Sequence, residues 1–269
     1  MNQPAYFISH GAPDLIISDI PAQRFIIEQG QSWQQEYQQG KLKGIILLSA
    51  HWSSRTPGEL SIENNDKPEI QYDFSGFSAD LYQIQYSGWS RPEQRKEIAG
   101  TLLADGWQVS EVSRPLDHGS WVPLKLIDPE AGIPVTNISL PAYNSAAEAV
   151  RLGRSLAQLR DSGYLIIGSG ALTHNLRLAG PEGTPVPDWA LEFEQQWQKV
   201  LLAGNLTAVV EFMSEPLFHK AHPTTEHFLP LLISAASAGE EFEVRQLHQS
   251  FSYQSIAMHA YAFSQTPKA

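Results

Sequence analysis

Five short runs of apolar or β-branched residues punctuate the chain: YFIS (6–9), GIILLS (44–49), WQVSEV (107–112), IPVTNISL (133–140) and YLIIGS (164–169). Gly, Pro or Ser bounds each of them, and each has the length of a buried strand. Helical spacing lies between most of these runs. In SAAEAVRLGRSLAQLRDSG, Ser145 and Glu148 have capping-box spacing, Val150, Leu152, Leu156 and Leu159 fall near a helical repeat, and Gly163 supplies a C-terminal stop. RPEQRKEIAGTLLADG has the same form, with Pro92 in the first turn and Gly106 beyond the last.

This alternation predicts an α/β fold, a single domain over residues 1–269 with a central, mostly parallel sheet covered by helices on both faces. The tail departs from it. FEVRQLHQSF (242–251) and YQSIAMHAYAF (253–263) read as two further strands, an antiparallel pair at the C-terminal edge of the sheet, and GPEGTPVP (180–187) reads as a loop.

Composition narrows the chemistry. The chain has no cysteine, so disulfides and thiolate chemistry are excluded and a metal would be held by imidazole nitrogen and carboxylate oxygen. A net charge of −11 without any run of Lys or Arg argues against nucleic acid and against an anionic membrane, and favours a small-molecule partner. No apolar run is long enough to span a bilayer, and the opening MNQPAYFISHG lacks the basic end and apolar core of a signal peptide, so the expected location is cytoplasmic.

Three of the apolar runs lead into histidine: YFIS into His10, GIILLSA into His51, and YLIIGSGALT into His174. Ligands of open α/β sheets gather beyond the carboxyl ends of the strands, so these imidazoles are expected to share a crevice. His118 follows in PLDHGSW, with Asp117 as a candidate orienting neighbour. His227 lies in PTTEHFLPLLISAA, where Thr224 or Thr225 is expected to cap a helix that carries Glu226 and His227 in its first turn. His219, His222, His248 and His259 are read as surface or hydrogen-bonded core residues.

Taken in order, SHGAP (9–13), SAHW (49–52), YDFSGF (72–77), LDHGSW (116–121), THNLR (173–177) and PTTEHFLPLL (223–232) resemble the class III, or LigB-type, extradiol ring-cleaving dioxygenases, in the branch named for DOPA 4,5-dioxygenase. The resemblance implies one α/β domain binding a non-haem Fe(II), with Zn(II) in some members. It also implies cleavage of a catechol ring by O2 beside its two hydroxyls, giving a ring-opened semialdehyde acid. Residue by residue, it makes His10, His51 and His227 metal ligands, His174 the acid–base residue and a further ligand candidate, and His118 a residue of the substrate pocket. Glu226 competes with His227 for the third position; consecutive helical residues point about 100° apart, so only one faces the metal.

Three positions depart from the family pattern: Tyr72 where a histidine precedes the Asp-Phe pair, Ser78 after Gly76 and Phe77, and LYQIQYSG, which lacks a histidine. These positions are expected to line or cover the pocket, with Phe74, Phe77, Trp52 and Trp121 as candidates for an aromatic slot. Two other readings of the same residues stay open: a zinc hydrolase using the same histidines, with His174 or Glu226 as base, and a non-catalytic binding protein like those of the Memo type.

Overall fold

The computed structural model describes residues 3–266. Ten strands form: β1 (Ala5–Ser9), β2 (Gly44–Ser53), β3 (Glu59–Glu63), β4 (Gln108–Val112), β5 (Val135–Leu140), β6 (Tyr164–Gly170), β7 (Phe242–His248), β8 (Phe251–Ser252), β9 (Ile256–Ala257) and β10 (Ala260–Gln265). The helices are α1 (Pro21–Gln38), α2 (Pro92–Ala104), α3 (His118–Ile127), α4 (Ala146–Asp161), α5 (Asp188–Ala203), α6 (Leu206–Phe212), α7 (Pro216–Ala221) and α8 (Leu229–Ala238). Eight strands make one sheet in the order β4-β3-β5-β2-β6-β1-β10-β7, and β8 pairs separately with β9. The centre is parallel, β5-β2-β6-β1, as the strand–helix alternation predicted. The C-terminal pair is antiparallel, with β10 laid against β1 and β7 at the edge.

Successive residues of the central strands feed opposite faces, as a two-residue repeat requires. Phe7, Ile46, Leu48 and Ile166 join a core with α2, α4, α5, α6, α7 and α8. Tyr6, Ile8, Ile45, Leu47 and Ile167 join a second core with α1 and α3. Covering both faces is why these strands are nearly continuous apolar runs. At about 1.5–3 kcal/mol for each fully buried aliphatic or aromatic side chain, these two cores carry most of the favourable folding free energy.

Local rules hold where they were legible. The Ser145 side chain accepts from the Glu148 N–H at the start of α4. The Glu148 carboxylate is diverted from the reciprocal bond and accepts from the Gly58 N–H, which ties α4 to the β2–β3 turn.

One expectation fails. The segment before α8 is a turn and not its first helical turn: the Phe228 and Leu229 N–H groups both donate to the Thr225 backbone carbonyl, and the helix proper begins at Leu229. A helix started at Thr224 or Thr225 would bury Pro230 in its interior, where the ring has no N–H to donate and collides with the carbonyl four residues back. Starting at Leu229 puts Pro230 in the first turn.

Candidate metal centre

The topology assembles the site. β2, β6 and β1 are consecutive, parallel neighbours, so their carboxyl ends open on one edge. His10 follows β1 directly and its N–H donates to the Gly170 carbonyl at the end of β6. His51 sits near the end of β2, in the stretch where the register against β5 shifts between Leu48 and Ser53. His174 follows β6, and the turn before α8 brings His227 over the same edge, with the Ala171 N–H bonded to the His227 carbonyl at 3.0 Å.

Two glycines make the approach possible. A Cβ at Gly170 would lie 2.1 Å from the His227 carbonyl oxygen, and one at Gly119, in the first turn of α3, would lie 2.6 Å from Ser49 Oγ and 2.8 Å from His51 Cδ2. Neither distance is tolerable, so any side chain at these positions would push the histidine-bearing segments apart.

Three imidazoles meet at the floor. His51 Nε2 lies 3.1 Å from His10 Nε2 and 3.3 Å from His227 Nε2, and the three nitrogens all fall within 4.8 Å of one another. Their partners fix which ring nitrogen carries the hydrogen. Ser169 Oγ donates to the Gly119 carbonyl, so it accepts from His10 Nδ1 at 3.0 Å. The Glu226 carboxylate accepts from His227 Nδ1, also at 3.0 Å. Both rings therefore turn an Nε2 lone pair toward the third. His51 has one Nε2 and can donate a hydrogen to only one of them. Two facing lone pairs are repulsive unless a cation lies between them, so the donor chemistry fits a metal ion of the kind neutral imidazoles bind.

The rings are held neutral. Burial pushes His10 and His227 well below the ordinary histidine value, and the neighbouring imidazoles push in the same direction. Burial, followed by the proximity of His118, takes His51 down to about 4 against the opposing effect of Asp117 and Asp73. Protons are thus no competitor for these nitrogens near neutral pH.

His174 stacks on His227 with ring centroids 3.3 Å apart and 12° between planes. It groups with Glu226 and His227, and not with His10 and His51. Burial lowers its pKa, Glu226 opposes and His118 adds to the lowering. His118 faces the cluster from α3, its ring 4.0 Å from that of His51.

The partner of His118 is Asp73, not Asp117. Asp73 receives the His118 backbone N–H at 3.0 Å and lies 3.0 Å from His118 Nδ1. Burial raises the Asp73 carboxyl, but its bonds to His118 together outweigh this and leave it lowered. Asp117 is committed elsewhere: it caps α3 by accepting from the Ser120 N–H, accepts the Ser49 hydroxyl and pairs with Arg114. An N-cap side chain points back into its own helix terminus, which is why it cannot serve the next residue. Through Ser49, whose hydroxyl accepts the His51 N–H, Asp117 instead steadies β2 under the metal ligand candidate.

Above the cluster is a cavity of about 370 Å³ lined by His51, His118, His174, Phe74, Phe77, Leu176, Pro13, Tyr253 and Ile256, among others. Phe74 and Phe77 pack edge to face at 5.5 Å. The other two aromatic candidates lie outside it: Trp121 is buried with its indole N–H on the Gln71 carbonyl, and Trp52 carries the Arg114 guanidinium on its face. Tyr72 also lies outside. Its hydroxyl donates to the Ile84 carbonyl, and it lines a neighbouring surface cavity with Glu69, Lys125 and Glu130. Asp73, Ser49 and Gly119 fall within the segments YDFSGF, SAHW and LDHGSW, but their individual roles were not read from the sequence, and Ser169 lies in none of those segments.

His222, read as a core residue, bonds the Ala171 carbonyl at 3.3 Å, and His259 bonds Glu194 at 2.9 Å. His219 is exposed, and His248 bonds Ser250. Among the described residues, no helix is long and apolar enough to cross a membrane.

Known proteins are similar to this chain over nearly its whole length. The chain is 36% identical over 265 residues to a 4,5-DOPA dioxygenase extradiol from Beta vulgaris, covering 97% of this chain and 96% of the relative. It is 31% identical over 249 residues to the protein of the same name from Escherichia coli K12, covering 88% and 86%. The crystal structure of an uncharacterised Escherichia coli K12 protein superposes with a TM-score of 0.71 at 24% identity, covering 97% of this chain and 99% of that one, which shows the shared fold. The family model for the catalytic LigB subunit of aromatic ring-opening dioxygenases matches residues 4–264. With its histidine-floored cavity at the carboxyl edge of a parallel sheet, and by the family match over residues 4–264 and the near-full-length similarity to these relatives, the chain belongs to the LigB family of aromatic ring-opening dioxygenases.

Proposed function

We propose that this protein is a metal-dependent extradiol dioxygenase that opens a catechol-type ring with O2 to a semialdehyde acid, with the metal held by His10, His51 and His227. The observation that supports it most is the pair of Nε2 lone pairs, fixed by Ser169 and Glu226, that face each other across His51. Glu226 is engaged with His227 Nδ1, which gives the carboxylate the part of orienting partner and the imidazole that of ligand. Bound to this face, Fe(II) would supply Lewis acidity toward both catechol oxygens and a redox couple for O2, whereas Zn(II), which suits the same donors, offers only the first.

The chain's own residues do the rest. His174 is neutral near pH 7 and lines the cavity, so it can take a proton from a substrate hydroxyl and return it later. His118, held by its backbone N–H on Asp73 with Nδ1 3.0 Å from the same carboxylate, keeps Nε2 to hydrogen-bond the substrate and fix its rotation. Phe74 and Phe77 offer faces to a planar ring and exclude water from it.

The test is oxygen uptake by metal-stripped protein reloaded anaerobically with Fe(II) or with Zn(II), then given air and a catechol. Uptake and a new yellow absorbance with Fe(II) alone are expected. Turnover of ester substrates with Zn(II), and no uptake with Fe(II), would overturn the reading in favour of a hydrolase.

A further inference from the structure

Resting on the ring-opening reading, we infer that the preferred catechol carries an apolar ring substituent, alkyl or aryl, and no carboxylate. The cavity walls beyond the histidines are Phe74, Phe77, Leu176, Ile256, Ala179 and Pro13. Among the described residues, no Lys or Arg lines it. Three arginines lie within four residues of a site histidine in sequence, and none lines the cavity. Arg114 stacks on Trp52 and pairs with Asp117 at 3.0 Å, and Arg55 and Arg177 are exposed outside the lining.

The polar groups at the Tyr253 side of the cavity are acidic. The Tyr253 hydroxyl donates to the Asp14 carboxylate, and its backbone N–H donates to Glu182 Oε2 at 2.6 Å. The Ser252 hydroxyl donates to the same Glu182 oxygen. A carboxylate on the substrate would thus exchange water for an apolar wall and would meet like charge at the rim, two costs of the same sign. An alkyl or aryl group of the same length would gain burial against the same wall. At about 370 Å³ the cavity lies at the lower end of small-molecule sites, roughly 300–1,000 Å³, which suits a single ring with a short substituent.

The matched pair 4-butylcatechol and 3-(3,4-dihydroxyphenyl)propionate isolates the carboxylate at nearly constant length. With Fe(II)-loaded protein, two quantities are measured for each: kcat/KM in air, and Kd under nitrogen by calorimetry. Both are expected to favour the butyl compound by at least about tenfold, or one decade per ~1.4 kcal/mol. Leu176→Arg puts a cation on the rim at a position 66% exposed, where the fold tolerates it. It is expected to shift the ratio toward the acid by about tenfold. Equal or better binding and turnover of the acid by the unaltered protein would overturn the inference, as would an unchanged ratio in Leu176→Arg. Failure to cleave either compound would refute the ring-opening reading, and the Kd ratio would still decide the selectivity of the cavity.

Discussion

His222 and His259 are as buried as His10 and His227: relative exposures are 1% and 0% against 2% and 3%. Burial therefore does not separate a core histidine from a ligand, and the surroundings of the two ring nitrogens do. His222 gives Nε2 to the Ala171 carbonyl and stacks on Phe218 at 4.6 Å, with Nδ1 left unpartnered among the described residues. His259 likewise bonds Glu194 with Nε2 and leaves Nδ1 without a partner among those residues. In His10 and His227 the pattern reverses: protein acceptors occupy Nδ1, and both Nε2 atoms point at His51 Nε2. One bonded nitrogen and one apolar contact make a packing residue. Converging, hydrogen-free nitrogens are what the proposed metal face requires.

That contrast sets the order of expected effects. The largest belong to His10→Ala, His51→Ala and His227→Ala, each of which should abolish stoichiometric Fe(II) binding and reduce oxygen uptake by at least ~10³-fold. Metal analysis of the gel-filtered proteins checks this, and full metal retention by any of them would remove that residue from the ligand set. His174→Ala should keep its metal yet lose about 10²- to 10⁴-fold in kcat, as the proton-moving role proposed for it requires. Loss of metal in that variant would show that it ligates as well.

Smaller effects follow from the groups behind the ligands. Asp73→Asn leaves the size unchanged but weakens the hold on His118, and should lower kcat/KM by about 10-fold, the equivalent of one charge-assisted hydrogen bond. His222→Gln should leave turnover within about twofold and act on stability instead. Burial holds the His222 pKa at about 4 in the folded chain, against 6.5 for the ordinary value. Between these two values the unfolded chain binds a proton that the folded chain rejects, so stability falls as pH drops from 6.5 toward about 4. His222→Gln should remove on the order of 3 kcal/mol of that loss, read from urea midpoints of metal-free protein at pH 7 and pH 4. An unaltered pH slope would mean that His222 titrates normally.

Much of this was legible in one dimension. All five apolar runs became strands, four of them in the buried centre of the sheet and the fifth, Gln108–Val112, at its exposed edge, and the strand-end placement of His10, His51 and His174 carried the location of the site. β3 was not read as a strand: Pro57-Gly58 and Asn64-Asn65 bound it, but ELSIE alternates over only five positions and holds just two apolar residues, Leu60 and Ile62. Neither was the Asp73–His118 pair, because the two residues are brought together only by the packing of a loop on the start of α3. Tyr72 was expected at the pocket because it stands where the family pattern has a histidine before the Asp-Phe pair, yet it lies outside the cavity lining and its hydroxyl donates to the Ile84 carbonyl. Side-chain direction in an irregular segment has no sequence period to reveal it.

The central claim is that an imidazole, not the adjacent carboxylate, completes the metal face. The most direct measurement is the Fe(II) stoichiometry of His227→Ala beside Glu226→Gln after anaerobic loading at saturating metal. Glu226→Gln should still load one ion per chain, with affinity weakened by roughly 10- to 100-fold as the orienting partner is lost, while His227→Ala loads none. Full loading of His227→Ala together with an empty Glu226→Gln would contradict the account.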